Sequence, residues 1–243
     1  MSQPLIIGHR GAAAVAPENT LAAFEAAIKA GADGVEFDVR LSRDGVPVVI
    51  HDNSLYRTGG VRRRVDDLTF NELSQIDVGS WFGPGFSNQR VPSLAQLFEL
   101  FDSNNLILYL EMKGKQTRLA EECCRLIEQH RMKHRVIFEC RHSTVQAVKK
   151  IDATMKTAAL FRPPVTFIFK KALAAAPSEI ALHHRLTNKR LVERARLANL
   201  KVVTWTVDDP AWVKRAQTTG IDVLITNNPA ALVAARDRRH RST

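Results

Sequence analysis

Short apolar runs recur along the chain, and most are followed by a segment in which apolar residues return every three or four positions. The first pattern is typical of buried strands, and the second is typical of helices that pack on a sheet. Eight strands are predicted on this basis: Leu5–Ile7, Val35–Val39, Leu106–Met112, Arg135–Cys140, Thr157–Phe161, Glu179–His183, Lys201–Val207 and Asp222–Thr226. This alternation predicts an α/β fold, and eight units favour a (β/α)8 TIM barrel over the alternative, a doubly wound parallel sheet.

Helices are predicted after most of these strands. The first follows a cap at Asn19 or Thr20, whose side-chain oxygen can accept from a free N–H group, and it ends at Gly31. The later helices are predicted around Leu94–Phe101, Leu119–Ile127, Val145–Ile151, Asn188–Asn199 and Pro210–Thr219, and from Pro229 onward.

Two segments depart from the alternation. Pro47–Asp52 is a second extended run after a turn that contains glycine, and it either continues the preceding strand or pairs with it as a hairpin. Residues 53–105 lose the alternation and are rich in Gly, Asp, Ser and Arg, with scattered aromatic residues. We expect this insertion after strand two to pack over one face of a single domain that covers residues 1–243.

Charge narrows the choice of partner. The 35 Lys and Arg residues against 25 Asp and Glu residues give a net charge of +10, which favours anionic substrates, nucleic acid or acidic membrane surfaces. Much of the excess lies in Arg62–Arg64 and in a tail with Arg236, Arg238, Arg239 and Arg241. Because no aromatic residues interleave with these clusters, we expect solvated basic ends and no nucleic-acid partner.

Cysteine usage and hydropathy bear on the compartment. The three cysteines, Cys123, Cys124 and Cys140, form no even disulfide framework and lack a metal-type spacing, which favours a reducing compartment. The chain does not begin with a basic region and a long apolar stretch, and no run of about eighteen apolar residues occurs. We expect a cytoplasmic protein without stable membrane insertion, and the pattern leaves its oligomeric state open.

The second predicted strand carries two carboxylates on one side. Because side chains alternate along a strand, Glu36 and Asp38 point the same way, with Cα atoms roughly 6.6–6.8 Å apart, close enough to hold one cation. Glu111 ends the next predicted barrel strand and adds a third hard oxygen ligand at the same mouth. This set suits Ca²⁺ or Mg²⁺ better than zinc. The alternative is a salt-bridged ring in which Arg40 or Lys113 neutralises the carboxylates.

Two histidines belong to the same mouth of the predicted barrel. His9 lies between glycines after the first strand, and His51 precedes an aspartate after the second extended run. Imidazole titrates near neutral pH, so each is a candidate general acid or base. Arg10 and Lys113 add the fixed positive charge that a phosphate would use. Together these side chains indicate phosphodiester cleavage.

The motifs around these residues resemble those of the glycerophosphodiester phosphodiesterase family. The matching segments occur in the same order along the chain: Gly8-His9-Arg10-Gly11, Pro17-Glu18-Asn19-Thr20, Glu36-Phe37-Asp38, His51-Asp52, Glu111-Met112-Lys113 and Thr204-Trp205-Thr206-Val207. Segments 77–82 and 91–94 resemble parts of that family's insertion, so the likeness covers nearly the whole chain.

This resemblance implies a TIM-barrel enzyme of lipid and glycerol metabolism that hydrolyses glycerophosphodiesters to glycerol 3-phosphate and an alcohol. It implies one divalent cation, Ca²⁺ or Mg²⁺, held by Glu36, Asp38 and Glu111. The two histidines would be the acid–base pair, and Arg10 and Lys113 would hold phosphate oxygens. In the family's reaction the glycerol hydroxyl beside the diester attacks phosphorus, and water then opens the cyclic phosphate.

The chain departs from the family pattern at two places. The family commonly shows Ser-Phe near the end of strand four and Asp after the Thr of strand eight, where this chain has Cys140-Arg141 and Asn227. These departures bear on the shape of the substrate site and on the residues that support the catalytic set more than on activity. His183 matches a family position near the mouth, and Trp205 is either a pocket wall or an ordinary barrel-core aromatic.

Other functions on the same barrel stay open at this stage. A lysophospholipase D or a phospholipase-C-like diesterase would share the catalytic set, and a non-catalytic phosphate-binding module would share only the charges. The sequence does not identify the preferred alcohol head group.

Overall fold

The computed structural model describes residues 3–114, 117–164 and 167–238, and in these ranges eight parallel strands close into a barrel. The strands are β1 (Leu5–His9), β2 (Gly34–Leu41), β3 (Pro47–Val49), β4 (Ile107–Met112), β5 (Val136–Arg141), β6 (Lys156–Phe161), β7 (Glu179–His183), β8 (Lys201–Trp205) and β9 (Val223–Thr226). β1 pairs with β2 on one side and with β9 on the other, so the ring is closed. The predicted TIM barrel is confirmed, and the open doubly wound sheet is wrong.

The helices lie between the barrel strands and in the insertion. They are α1 (Leu21–Lys29), α2 (Tyr56–Gly59), α3 (Phe70–Leu73), α4 (Leu94–Phe101), α5 (Thr117–Gln129), α6 (His142–Ile151), α7 (Ile168–Ala175), α8 (Lys189–Leu197), α9 (Ala211–Thr219) and α10 (Pro229–Asp237). Thr20 caps α1, because its hydroxyl accepts from the Ala23 N–H at 3.3 Å. Of the two residues predicted as caps, Asn19 has a different role, described below.

Helix α7 lies in a segment for which the pattern predicts no helix. Its buried residues, Phe169, Ala172 and Ala175, recur every three positions. Two of the three are alanines, whose weak hydrophobicity hides the helical period in the sequence. Several other predicted elements were displaced only at their ends: α6 begins at His142 and β8 ends at Trp205.

The second extended run is a hairpin with the strand before it. β3 pairs antiparallel to β2, with Val39 opposite Val49, and it is bonded outside the ring. The insertion that follows packs on a small apolar cluster of its own. This cluster comprises Val48, Ile50, Leu55, Val65, Leu68, Leu73, Val78 and Val91.

Two layers of apolar side chains hold the barrel together. One lies between the strands and the helices, and the other lines the inside of the ring with one or two residues from most strands. Tyr109, on the inner layer, donates a hydrogen bond from its hydroxyl to Glu179 Oε2 at 2.8 Å. Both groups are almost fully buried. This pair therefore satisfies two polar groups inside the barrel, at the end away from the candidate site.

We expect Glu179→Gln to raise the melting temperature at neutral and alkaline pH. Burial raises the pKa of Glu179 above its ordinary 4.5, although the hydrogen bond from Tyr109 acts in the opposite direction. A carboxyl whose pKa is raised by folding contributes stability below its unfolded pKa and loses it as the pH rises through the folded pKa. The neutral amide should therefore stabilise the protein at about pH 8 and change little at about pH 4.

Thermal melts of wild type and variant across this pH range measure the difference. Glu25→Gln, at an exposed position of α1, is the matched control. A difference in melting temperature that did not change with pH would contradict the assigned cause.

No helix in the described ranges is long and apolar enough to cross a membrane. Of the predicted basic tail, Arg239 and Arg241 lie outside the described residues. Arg236 was expected to be solvated, and for this residue the expectation is wrong: its side chain is only 15% exposed and forms an ion pair with Asp33. It ties the last helix to the turn before β2.

Candidate active site

The carboxyl ends of β1, β2 and β4 lie side by side, and they bring the predicted acidic residues together. His9 is opposite Glu36 in the strand register, and Asp38 is opposite Glu111. Glu36, Asp38 and Glu111 each offer one carboxylate oxygen, and these three oxygens lie within 4.8 Å of one another. The prediction that strand alternation would place Glu36 and Asp38 on one side therefore agrees with the geometry.

Two cations already contact part of this acidic group. Lys113 Nζ lies 2.9 Å from Asp38 Oδ1 and 2.5 Å from Glu111 Oε1, and Arg10 Nε lies 3.2 Å from Asp38 Oδ2. Burial alone would raise the pKa of Asp38, but Lys113 and Arg10 outweigh it and lower that pKa well below its usual range. The salt-bridged ring of the sequence analysis thus exists in part, through Lys113 and not through Arg40.

Glu36 is the carboxylate that these cations do not satisfy. Burial raises its pKa well above the ordinary value, and the nearby carboxylates of Asp38 and Glu111 raise it further. Its Oε1 atom is buried and has no hydrogen-bond partner within the described ranges. A buried carboxylate oxygen without a donor is costly unless a proton or a cation neutralises it. The donor set of three carboxylates and this orphaned oxygen fits a hard divalent cation.

The loop after β1 positions the backbone against this group. Arg10 adopts φ 52°, in the left-handed region, and its N–H donates to Glu36 Oε2 at 3.0 Å. Gly11 follows with φ 85°, and a Cβ atom there would lie 2.5 Å from the backbone of Ala23. Only glycine allows the loop to pass this close to α1.

His9 is held by an amide. Its Nδ1 lies 2.7 Å from Asn227 Oδ1, and its Nε2 lies 3.9 Å from Glu36 Oε2. Asn227 is fixed in turn by Asp208, which accepts from its Nδ2 at 2.8 Å and from its backbone N–H at 2.7 Å. The amide oxygen therefore faces His9 and accepts from Nδ1–H, which leaves Nε2 free toward the acidic group. Burial, with Arg10, lowers the pKa of His9 to about 4.

His51 is held by a carboxylate. Its Nδ1 lies 2.6 Å from Asp52 Oδ1, and Asp52 Oδ2 accepts from Arg57 Nε at 2.6 Å. Arg57 also donates to Glu18, at 2.8 and 2.6 Å, and Glu18 accepts from Arg10 Nη1 at 2.8 Å. This chain of ion pairs connects the insertion to the loop after β1. Burial lowers the pKa of His51, while Asp38 and Asp52 act to raise it.

Sequence reasoning missed two residues of the site. Asn19 donates from Nδ2 to Asp38 Oδ2 at 2.7 Å and accepts from the Asp38 N–H at 3.2 Å, so it orients a candidate metal ligand and does not cap α1. Glu139, opposite Glu111 in the register, is a fourth buried carboxylate, and burial raises its pKa well above the ordinary value. A charged residue inside an apolar run was the available signal for Glu139.

The two candidate pocket-wall residues lie on the far side of the ring. His183 ends β7 opposite Trp205 in the register, and their rings are perpendicular, with centroids 5.2 Å apart. Trp205 Nε1 is buried without a hydrogen-bond partner in the described part of the chain. Both residues lie at the same end of the barrel as the catalytic candidates, and their roles in binding stay predictions.

A cavity of about 390 Å³ opens beside the acidic group. His51, Glu111 and Lys113 form part of its lining, and the rest comes from the ends of β2, β4, β5 and β6, from the first turn of α6 and from the segments that follow β4 and β6. A volume in this range is typical of small-molecule sites. The site thus combines an acidic cluster, one histidine held by an amide, one histidine held by a carboxylate, and an adjoining pocket.

Comparison with known proteins identifies chains that are similar in sequence and fold. The model of the Glycerophosphoryl diester phosphodiesterase family matches residues 9–231 of the chain. A glycerophosphodiester phosphodiesterase of Caldanaerobacter subterraneus subsp. tengcongensis is 32% identical over 233 residues, covering 94% of this chain and 96% of its own. A solved Oleispira antarctica phosphodiesterase, in complex with the product sn-glycerol-3-phosphate, superposes with a TM-score of 0.91 at 25% identity, over 97% of both chains. A glycerophosphodiester phosphodiesterase from Agrobacterium tumefaciens superposes with a TM-score of 0.83 at 27% identity, over 95% of this chain and 99% of that chain.

Proposed function

The chain belongs to the glycerophosphoryl diester phosphodiesterase family and hydrolyses glycerophosphodiesters, and we propose that it does so by acid–base catalysis by His9 and His51 beside one divalent cation. The products are glycerol 3-phosphate and the alcohol.

Glu36, Asp38 and Glu111 would hold the cation, which is Ca²⁺ or Mg²⁺. When bound, the ion polarises phosphate oxygens and neutralises developing negative charge. The orphaned Oε1 of Glu36 supports this assignment, because no described residue donates a hydrogen bond to it. Asn19 keeps Asp38 in its orientation through two hydrogen bonds.

Arg10 and Lys113 would bind the oxygens of the scissile phosphate. Both lie against the acidic group, with Arg10 also anchored by Glu18. The planar guanidinium can hold two oxygens, and the ammonium acts as a point charge.

The different partners of the two histidines support different roles. Asp52 stabilises an imidazolium, so we assign proton donation to the leaving alcohol to His51. Asn227 carries no charge and leaves the Nε2 of His9 free, so we assign proton acceptance from the glycerol hydroxyl to His9. In the first step the hydroxyl oxygen bonds to phosphorus, the bond from phosphorus to the head-group oxygen breaks, and a cyclic phosphate forms.

Water completes the reaction with the roles reversed. His51, now neutral, accepts a proton as the water oxygen bonds to phosphorus. The bond from phosphorus to the ring oxygen breaks, and His9 returns its proton to that oxygen. Both histidines regain their initial states, and one water molecule is consumed for each diester cleaved.

This proposal rests on one observation: two histidines lie beside the same acidic cluster, and a neutral amide holds His9 whereas a carboxylate holds His51. We expect His9→Ala and His51→Ala each to lower kcat by about 10²-fold or more, the lower end of what a positioned acid or base contributes. The wild type should show a bell-shaped pH profile. Release of glycerol 3-phosphate measures both.

His134→Ala is the matched control, because His134 lines a separate cavity together with Tyr109 and Glu179, at the other end of the barrel. Melting temperatures near that of the wild type would show that the two active-site variants remain folded. A near-normal kcat in either variant would remove that histidine from the mechanism.

The cellular setting and domain organisation are part of the same proposal. We propose one catalytic domain over residues 1–243, which the pairing of β1 with β9 supports. We propose a cytoplasmic location and a role in lipid and glycerol metabolism. The three buried, unpaired cysteines are compatible with a reducing compartment.

A further inference from the structure

The cavity beside the acidic group is lined by three arginines in addition to the catalytic candidates. Arg40, Arg141 and Arg162 reach it from the end of β2, the end of β5 and the segment just after β6. Among the described residues that line the cavity, the only carboxylate is Glu111, which Lys113 already contacts at 2.5 Å. The cavity therefore has an excess of positive charge.

The three arginines are not equally available to a ligand. Arg40 donates from Nε to the His51 carbonyl at 2.8 Å, so its guanidinium fastens the loop that carries His51. Arg141 and Arg162 are exposed, and neither side chain has a hydrogen bond or an ion pair with another residue in the described ranges. Residue 141 opposes Leu160 in the register of β5 and β6, two positions before Arg162. Two guanidinium groups that line the same cavity thus keep their donors free of protein partners in the described ranges.

The scissile phosphate does not account for these two arginines. Arg10 and Lys113 already lie at the acidic group where that phosphate would bind. The glycerophosphate half of the substrate carries no other charge, since the rest of it is two hydroxyl groups. An additional anionic group can therefore come only from the alcohol, which is the part that differs among glycerophosphodiesters.

We propose that this cavity is the head-group site and that it selects alcohols carrying a phosphate or carboxylate group over neutral and cationic alcohols. The inference rests on the proposed function, because His51 at the cavity wall is the residue assigned to protonate the leaving alcohol. Arg141 and Arg162 bind the anionic substituent through paired N–H donors, which match the oxygens of a phosphate or carboxylate.

Matched substrate pairs test the preference directly. Glycerophosphoinositol 4-phosphate differs from glycerophosphoinositol by one phosphate, and glycerophosphoserine differs from glycerophosphoethanolamine by one carboxylate. We expect kcat/KM to be higher for the charged member by about 10-fold or more, the effect of one charge-assisted hydrogen bond. A preference in the first pair alone assigns the site to phosphate, and a preference in both assigns it to either anion.

Arg141→Gln and Arg162→Gln show whether these side chains cause the preference. Each should raise KM for the charged member about 10-fold, leave its kcat nearly unchanged and leave both constants for the uncharged member unchanged, because the contact is made equally in the ground and transition states. Arg190→Gln removes an exposed arginine from α8, away from this cavity, and is the matched control.

The outcomes separate this inference from the proposed function. Equal kcat/KM for the members of both pairs would overturn the head-group site while leaving the hydrolase intact. Equal loss on both members in the arginine variants would also overturn it, because the arginines would then bind the shared glycerophosphate half. Failure to hydrolyse any of the four substrates would overturn the hydrolase and the head-group site together.

Discussion

Removing divalent cations should reduce the hydrolysis of glycerophosphodiesters to background, and returning Ca²⁺ or Mg²⁺ should restore it. The reason is the acidic cluster: Glu36, Asp38 and Glu111 each offer an oxygen within 4.8 Å of the others, and the buried Oε1 of Glu36 has no hydrogen-bond donor among the described residues. Carboxylates this close repel one another, and a cation both relieves the repulsion and supplies charge for the reaction. Release of glycerol 3-phosphate from chelator-treated, dialysed protein, with each metal added separately, measures the effect and identifies the preferred ion.

Binding can be measured independently of activity. Calorimetric titration of the stripped protein should show one site per chain, and the bound ion should raise the melting temperature because it binds only the folded state. Glu36→Gln should lose this binding, whereas Glu25→Gln on α1 should keep it. If stripped protein retained its full rate, Lys113 and Arg10 would be the sole counter-charges and the site would be a salt-bridged ring.

The barrel could be predicted because a short local pattern in the sequence indicates each of its strands. Strands that are buried on both faces are nearly continuous apolar runs, and eight such runs separated by helical periods restrict the topology strongly. The convergence of the candidate site residues could be predicted from the same local patterns, while their roles stay predictions. His9 and Glu111 lie at or near the carboxyl ends of strands, which meet at one mouth of a parallel barrel, and strand alternation places Glu36 on the same side as Asp38.

Contacts between distant segments could not be predicted in this way. Asn19 was one of two candidate helix caps, because its bond to Asp38 depends on how the loop after β1 folds over β2 and leaves no local pattern. Glu139 is 28 positions after Glu111 in the sequence, and only the strand register shows that the two residues are opposite each other. Local patterns specify helices and strands, whereas the contacts of Asn19 with Asp38 and of Glu139 with Glu111 depend on how distant segments meet in the barrel.

Asn227 shows how a departure from a family pattern can be understood only in the structure. The sequence raised doubt about the support of the site, because an amide replaces the usual carboxylate. In the structure the amide still accepts from His9, and Asp208 supplies the missing carboxylate one residue further away. Asn227 thus keeps the orientation of His9, while the negatively charged group, Asp208, contacts Asn227 and not His9.

The substrate should need a free hydroxyl on the carbon next to the one that bears the phosphodiester. In the proposed reaction this hydroxyl is the nucleophile that His9 activates, and attack within one molecule gains roughly 7–11 kcal/mol from holding the reacting groups together. The 2-deoxy analogue of glycerophosphoserine should therefore be hydrolysed at least about 10⁵-fold more slowly. Arg10, Lys113 and the head-group cavity would still bind it, so it should inhibit hydrolysis of the parent substrate competitively.

A matched analogue that lacks only the terminal hydroxyl should stay a substrate, because that hydroxyl is not the nucleophile. Phosphorus NMR of the wild-type reaction should in addition show a transient cyclic phosphate before glycerol 3-phosphate accumulates. Efficient hydrolysis of the 2-deoxy analogue would mean that water attacks phosphorus directly. In that case His9 and His51 would keep their proton-transfer roles, but His9 would activate water and not the glycerol hydroxyl.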